Sequence, residues 1–213
     1  MDDFVLDTTA LTEARLRRLL EAGSLEDVVR IIASILREGR LRVGARFYMT
    51  PSTWNELRRT LIGNQVGLDT IQELAAWITV KAPDKLSIRI PAAVFSEYIA
   101  DIRRRLYKGL RVAEYAARKA YTECRERQEE CLGDIIKDIR DRYREATRKG
   151  LLDSTEDLDT ILLALELKAT IVTSDEGMRR MAEQLGIIHI DPIDFITSLK
   201  RIIRSMTRGT QPT

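Results

Sequence analysis

The stretch LLDSTEDLDTILLALELKATIVTSDEG, Leu151 to Gly177, decides how the rest of the chain is read. Asp153, Glu156, Asp157 and Asp159 crowd into seven residues at the start of an apolar run of helical character. The β-branched run ATIVTS, Ala169 to Ser174, follows and closes on Asp175. A helix that feeds a short buried strand is the repeating unit of a parallel sheet.

The same alternation continues outward. DFVLD (Asp3–Asp7) is a short apolar run closed by an acid and predicts a buried first strand. SLEDVVRIIASILREG places Leu25, Val28, Val29, Ile32, Ile35 and Leu36 at helical spacing, with Ser24 as N-cap and Gly39 as the residue past the end. ARFYMT (Ala45–Thr50) predicts a second strand. PSTWNELRRTLIG follows as a helix from Pro51 to Gly63. LDTIQELAAWITV reads as one further amphipathic helix, and Pro83 and Pro91 interrupt the pattern after it. Downstream of Asp175 come a helix (EGMRRMAEQLG), a short strand (IIHI) and a final helix (PIDFITSLKRIIRSM). Trp54 and Trp77 have apolar neighbours and are assigned to the core. The expected fold is α/β, with a central, mostly parallel sheet between helical layers.

From Ala92 to Lys149 the character changes to continuous helix, dense in charge. Gly109 and Gly133 are its only glycines, and Gly133 suits the turn of an antiparallel hairpin. Leu106, Leu110, Tyr115, Ile135, Ile139 and Tyr143 form a narrow seam, which fits a projecting helical pair or a self-association surface. The expected organisation is therefore residues 1–91 as the first part of the α/β domain, 92–149 as a helical-hairpin insertion, 150–207 as the second part, and 208–213 as a disordered tail.

Composition excludes several classes. MDDFVLDTTA lacks the basic and apolar regions of a signal peptide, and no apolar run reaches the roughly 18 residues of a membrane span. A cytoplasmic protein with no membrane contact is expected. Cys124 and Cys131 make no disulfide framework; on an unbroken helix they share one face and read as small seam residues. A single histidine, His189, excludes an ordinary zinc module. It falls on a strand near the sheet edge. No glycine-rich phosphate loop occurs, so no nucleotide cofactor is expected. The net charge is only +2, but the cations are 27 Arg against 8 Lys. Arginine forks suit phosphate, while the same bias also arises from genome composition or heat adaptation; both readings are open.

Ligand sites in open parallel sheets lie beyond the carboxyl ends of the strands. Asp7 and Asp175 close two strands there. Asp153, Glu156 and Asp157 share a helical face at i, i+3 and i+4, and Glu56 lies near the start of the helix after the second strand. Carboxylates gathered without bases repel one another, and a divalent cation removes that cost. Hard oxygen donors suit Mg²⁺, with Mn²⁺ as a substitute, and such an ion activates water for phosphodiester cleavage. Each acid also has a plainer reading: Asp153 or Ser154 as a helix cap, Asp175 as the cap of EGMRRMAEQL, and Glu56, Glu156 and Asp159 as solvated or dipole-stabilising acids.

FVLDTTALTE, TPSTWNEL and DLDTILLALELKATIVTSDEG resemble the ordered motifs of PIN-domain nucleases. That resemblance implies a PIN-like three-layer fold and a four-acid centre of Asp7, Glu56, Asp157 and Asp175. The length, the stretch SDEGMRRMAEQLGI, the extra acid Asp153 and the helical insertion resemble more narrowly the HARP family, small protein-only ribonuclease P enzymes also known as RNA-ligase-partner proteins. Membership implies Mg²⁺-dependent removal of the 5′ leader from precursor tRNA. It also implies homo-oligomers built through the insertion, and catalytic acids Asp7, Asp153, Asp157 and Asp175. Asp159 and Glu156 stay open as further metal ligands. The insertion segment RRRLYKGLR supplies Arg103, Arg104, Arg105, Lys108 and Arg111 as expected RNA contacts. Two other functions fit the residues less well: a PIN nuclease acting on another RNA, and a non-catalytic RNA-binding partner of an RNA ligase.

Overall fold

The computed structural model of the chain describes residues 2–124, 128–148 and 154–208. In chain order its elements are β1 (Asp3–Leu6), α1 (Thr9–Thr12), α2 (Ala14–Leu19), α3 (Leu25–Glu38), a π-helical turn (Gly39–Val43), β2 (Arg46–Met49), α4 (Pro51–Gly63), α5 (Leu68–Ala75), β3 (Ile78–Val80), α6 (Ala92–Glu123), α7 (Gln128–Arg148), α8 (Thr155–Leu167), β4 (Thr170–Val172), α9 (Glu176–Gln184), β5 (His189–Ile190) and α10 (Pro192–Arg208). The chain divides into two compact units, Met1–Arg89 with Ser154–Thr213, and Ile90–Asp153. Residues 209–213 of the expected tail lie outside the described residues; Arg208 closes α10.

In the first unit five strands form one sheet in the order β3-β2-β1-β4-β5, and every pairing is parallel. The two-residue side-chain period of a strand sorts the core into two layers. Phe4 and Leu6 of β1, Phe47 and Met49 of β2 and Val172 of β4 cluster with Val28, Ile32 and Leu36 of α3 and Phe195, Ile196 and Leu199 of α10. Phe4 stands 5.1 Å from the Phe195 ring and 5.9 Å from Phe47. Val5 and Ile171, one residue out of phase, are fully buried toward the opposite face, where α8 packs on β1, β4 and α9. Trp54 and Trp77 are half-buried against the first cluster.

Sequence and structure part company at several points. Ile78–Val80 is a separate edge strand, β3, which the periodicity of LDTIQELAAWITV had merged into a helix. The β-branched triplet Ile-Thr-Val was the available signal. Gly39 is the residue past α3, but it does not reverse the chain. Its φ of −58° is helical, and the reversal comes five residues later at Gly44, with φ of 76°. A Cβ at position 39 would stand 3.1 Å from Leu199 and 3.2 Å from Phe47, so Gly39 allows the helix to approach the core closely.

The second unit is an antiparallel pair of helices. Arg105 Nη1 donates to the Thr147 carbonyl at 3.3 Å, and Gly109 lets the Tyr143 ring approach. Gly133 lies inside α7 rather than at the turn, because α6 already ends at Glu123 and α7 begins at Gln128. For the same reason Cys124 and Cys131 do not share one continuous helix. Their Cα atoms are 5.6 Å apart and the thiols form a disulfide joining the end of α6 to α7, which corrects the free-thiol expectation. The seam is narrower than expected: Ala116 and Ile135 are buried, whereas Leu106 and Leu110 are exposed.

One acid at the carboxyl edge of the sheet went unnoticed in the sequence. Asp191, just after β5, accepts from Arg15 Nη2 at 2.7 Å and from the Ile193 amide at 2.9 Å, with Arg179 3.7 Å away. Partial burial pushes its carboxyl up, but the hydrogen bonds and the charges of Arg15 and Arg179 together hold it below the usual carboxylate range. A depressed folded value stabilises above the ordinary aspartate pKa of about 4 and is lost as pH falls through the folded value. Asp191→Asn is therefore expected to lower the thermal midpoint at neutral pH and to flatten its decline below about pH 4. A pH series of thermal melts checks this, and an unaltered acid limb contradicts it.

Candidate active site

The sheet order reverses at β1: connections run outward through β2 and β3 on one side, and through β4 and β5 on the other. The crevice beyond the carboxyl ends of β1 and β4 is thus the switch point where open sheets bind ligands. The amide of Asp7 continues the ladder to the Val172 carbonyl at 3.1 Å, so Asp7 and Thr173 leave the sheet side by side.

Asp7 is only 7% exposed. A carboxylate that deep is costly unless donors surround it. Its Oδ1 accepts from the Thr8 amide at 2.6 Å, and its Oδ2 accepts from the hydroxyls of Thr9 at 2.7 Å and Thr173 at 2.9 Å. Those hydroxyls then accept in turn: Thr9 Oγ1 from the Ser174 amide and Thr173 Oγ1 from the Asp175 amide, each at 3.0 Å. The loops after β1 and β4 are thereby stitched together around one carboxylate. Asp175 is exposed and caps α9, its Oδ1 accepting from the Met178 amide at 2.8 Å.

Glu56 enters from α4. Thr8 Oγ1 donates to Glu56 Oε2 at 2.9 Å, so neighbouring residues of one loop contact Asp7 and Glu56. Glu56 also lines a cleft of about 560 Å³ with Ser52, Asn55 and Arg59 of α4 and with Ser154, Glu156 and Asp157 at the start of α8. Ser154, not Asp153, is the α8 N-cap, accepting from the Asp157 amide at 2.9 Å. Asp157 is half-buried in the first turn, where the helix dipole favours an acid. Asp159 faces a cation, with Lys85 Nζ 2.5 Å away. Asp153 lies outside the described residues.

The spacing between α4 and α8 is set by buried hydroxyls. Thr50 lies 2.8 Å from Thr53, Thr53 lies 3.0 Å from Thr160, and Thr160 donates to the Glu156 carbonyl at 3.1 Å. A carbonyl cannot donate and each hydroxyl has one proton, so the direction is forced: Thr50 donates to Thr53, Thr53 to Thr160, and Thr160 to Glu156. Thr53 and Glu56 are three residues apart on α4, as are Thr160 and Asp157 on α8. The chain therefore braces both helices within one turn of their carboxylates.

Among the described residues no three carboxylate, imidazole or thiol groups are gathered closely enough to hold a metal ion as they stand. The donor set is nonetheless all oxygen: carboxylates and hydroxyls, with His189 out on β5 against Glu183. That chemistry fits a hard divalent cation and not zinc. In the second unit Arg103, Arg104, Lys108 and Arg111 are exposed. Arg105 departs from that set. Its side chain is 11% exposed and tied to Asp101 at 2.7 Å and to the Thr147 carbonyl, so it joins the two helices.

The fold agrees with what the chain resembles. Residues 3–204 match the family described as PINc domain ribonuclease. A protein of Hyperthermus butylicus named RNA-free ribonuclease P is 47% identical, over 97% of this chain and 90% of its own length. Its namesakes from Aeropyrum pernix and Ignicoccus hospitalis are 49% and 42% identical, over 95% and 98% of this chain and 93% and 99% of their own. The chain belongs to the RNA-free ribonuclease P family of PINc-domain ribonucleases.

The hydroxyl chain predicts a clear contrast. Thr160→Val keeps the shape but leaves the Thr53 hydroxyl without its acceptor, at a cost of about 1–3 kcal/mol. Thr160→Ser restores the hydrogen bonds and most of that stability. Urea unfolding of both variants checks it, and equal midpoints contradict it.

Proposed function

We propose that the protein is a metal-dependent endoribonuclease that removes the 5′ leader of precursor tRNA, leaving a 5′-phosphate on the mature end. The observation that carries this reading is the buried Asp7 carboxylate at the β1/β4 switch point, one residue from the threonine that contacts Glu56. Asp7, Asp153, Asp157 and Asp175, helped by Glu56, would hold Mg²⁺, or Mn²⁺ in its place, which supplies an activated water and neutralises charge at the phosphodiester. Asp7, Asp153, Asp157 and Asp175 are the proposed catalytic acids. Thr9 and Thr173 fix the Asp7 carboxylate, and Thr8 turns Glu56. Glu156 remains a candidate ligand as part of the cleft wall. Asp159 is the weakest candidate, because Lys85 already neutralises it.

The helical insertion would serve recognition and assembly. Arg103, Arg104, Lys108 and Arg111 present exposed cations suited to the backbone of a folded RNA. Phe95, Ile99, Leu106 and Leu110 lie along one stripe of α6 and are 44–63% exposed. An apolar stripe of that size fits contact with a second copy of the chain.

Incubation of the purified protein with leader-bearing precursor tRNA and Mg²⁺, followed by end mapping, tests the assignment. A single cut at the mature 5′ end is expected. Asp7→Asn and Asp175→Asn are expected to lower the rate on the order of 100-fold or more while binding persists. Binding without cleavage by the unaltered protein, or undiminished cleavage by both variants, overturns the reading. Replacing Arg104, Lys108 and Arg111 together with Ala should weaken tRNA binding and reduce its salt slope by about one per lost contact. An unchanged slope removes the insertion patch from the interface.

A further inference from the structure

Ser52, Asn55, Glu56 and Arg59 recur at i, i+3, i+4 and i+7, and all four line the cleft that α4 shares with the start of α8. Thr53, Leu57 and Leu61 form the buried face of the same helix. Among the described residues the lining contains three carboxylates, Glu56, Glu156 and Asp157, and one cation, Arg59. Long helical side chains lean toward the helix N-terminus, so Arg59 reaches back over the turn that carries Asn55 and Glu56.

Acid–arginine pairs three or four residues apart on a helix can close on one another. Some in this chain do, whereas Glu114 with Arg118 and Glu176 with Arg180 do not. Arg104 lies 3.2 Å from Asp101 and Arg30 lies 3.0 Å from Glu26, while Arg142 donates to Asp138 at 2.8 Å. Arg59 does not. Glu56 Oε2 takes its hydrogen bond from Thr8, and no carboxylate among the described residues stands within ion-pair distance of Arg59. The guanidinium is exposed, with its fork open.

A polyanion entering an acidic cleft is repelled unless a cation meets it there. A free guanidinium binds two phosphate oxygens at once, which a carboxylate-lined wall cannot do. We infer that Arg59 is a substrate-contacting residue that grips a backbone phosphate of the RNA in the cleft, beside the carboxylates. This inference rests on the ribonuclease reading above and assigns the cleft wall a separate duty: holding substrate.

Equilibrium binding of leader-bearing precursor tRNA in EDTA, over a salt series, separates that duty from metal-dependent chemistry. Arg59→Ala is expected to weaken binding about tenfold at fixed salt, and to lower the salt slope by about one. Arg59→Lys should recover the slope but only part of the affinity, because it keeps the charge and loses the fork. With Mg²⁺ present, the Ala variant should lose more in kcat/KM than in kcat, with an unchanged thermal midpoint. Four outcomes are distinguishable. If the unaltered protein cleaves and Arg59→Ala matches it in affinity and slope, the inference fails and the ribonuclease reading stands. If the unaltered protein binds RNA without cleaving, and Arg59→Ala binds more weakly with the lower slope, the reading fails and the phosphate contact stands. If the unaltered protein binds no RNA, both fail. Weaker binding with an unchanged slope also overturns the inference, since no phosphate contact was then lost.

Discussion

The candidate site depends on one buried carboxylate and its donors. Asp7 follows the central strand and is almost sealed from water, a position that an unpartnered acid could not occupy without a penalty of several kcal/mol. Thr8, Thr9 and Thr173 remove that penalty, and in doing so they join the ends of β1 and β4. The same loop then reaches Glu56 through the Thr8 hydroxyl. Pulling Thr9 or Thr173 away would leave the buried Asp7 carboxylate short of a donor, so that part of the arrangement holds together as a network.

A second layer of order keeps α4 and α8 in step. The Thr50–Thr53–Thr160 chain is made wholly of buried hydroxyls and runs in one direction. Its members are short and β-branched, with few rotamers to lose, and this suits them to brace two helices at low entropic cost. Exposed residues on those helices are free to serve the cleft. Buried threonines behind and open polar groups in front divide the labour of α4: one face positions and the other meets solvent.

Much of this was legible in the sequence, and the omissions have physical causes. The strand–helix alternation, the central apolar runs and the acids at strand ends follow from periodicity and from the cost of burying charge, so DFVLD and ATIVTSD could be assigned without a structure. Edge strand β3 was missed because three residues carry too little periodicity to interrupt a helical reading. The turn between α6 and α7 was misplaced because glycine was taken as punctuation, whereas Gly133 is tolerated inside a helix. The cysteine pairing was hidden for the same reason, since the two residues face each other only once the chain has reversed between them. Hydroxyl partnerships such as Thr53 with Thr160 join residues 107 apart and leave no local signature. Arg59 was in view at i+3 from Glu56, but only geometry shows that Glu56 turns to Thr8 instead.

The strand order has a consequence for how the protein comes into being on the ribosome. β1 is synthesised before every other strand of the sheet, and β2 can join it early. Its other neighbour, β4, is made long after both, and the Thr173 hydroxyl that completes the Asp7 shell is 166 residues away. Until that segment emerges, the central strand has one open edge and its terminal acid lacks a donor. The nascent polypeptide thus carries half of the proposed cage and none of its second wall. Such long-range closure slows folding, and it also means that a truncated product released early would be unable to assemble the centre and hydrolyse RNA.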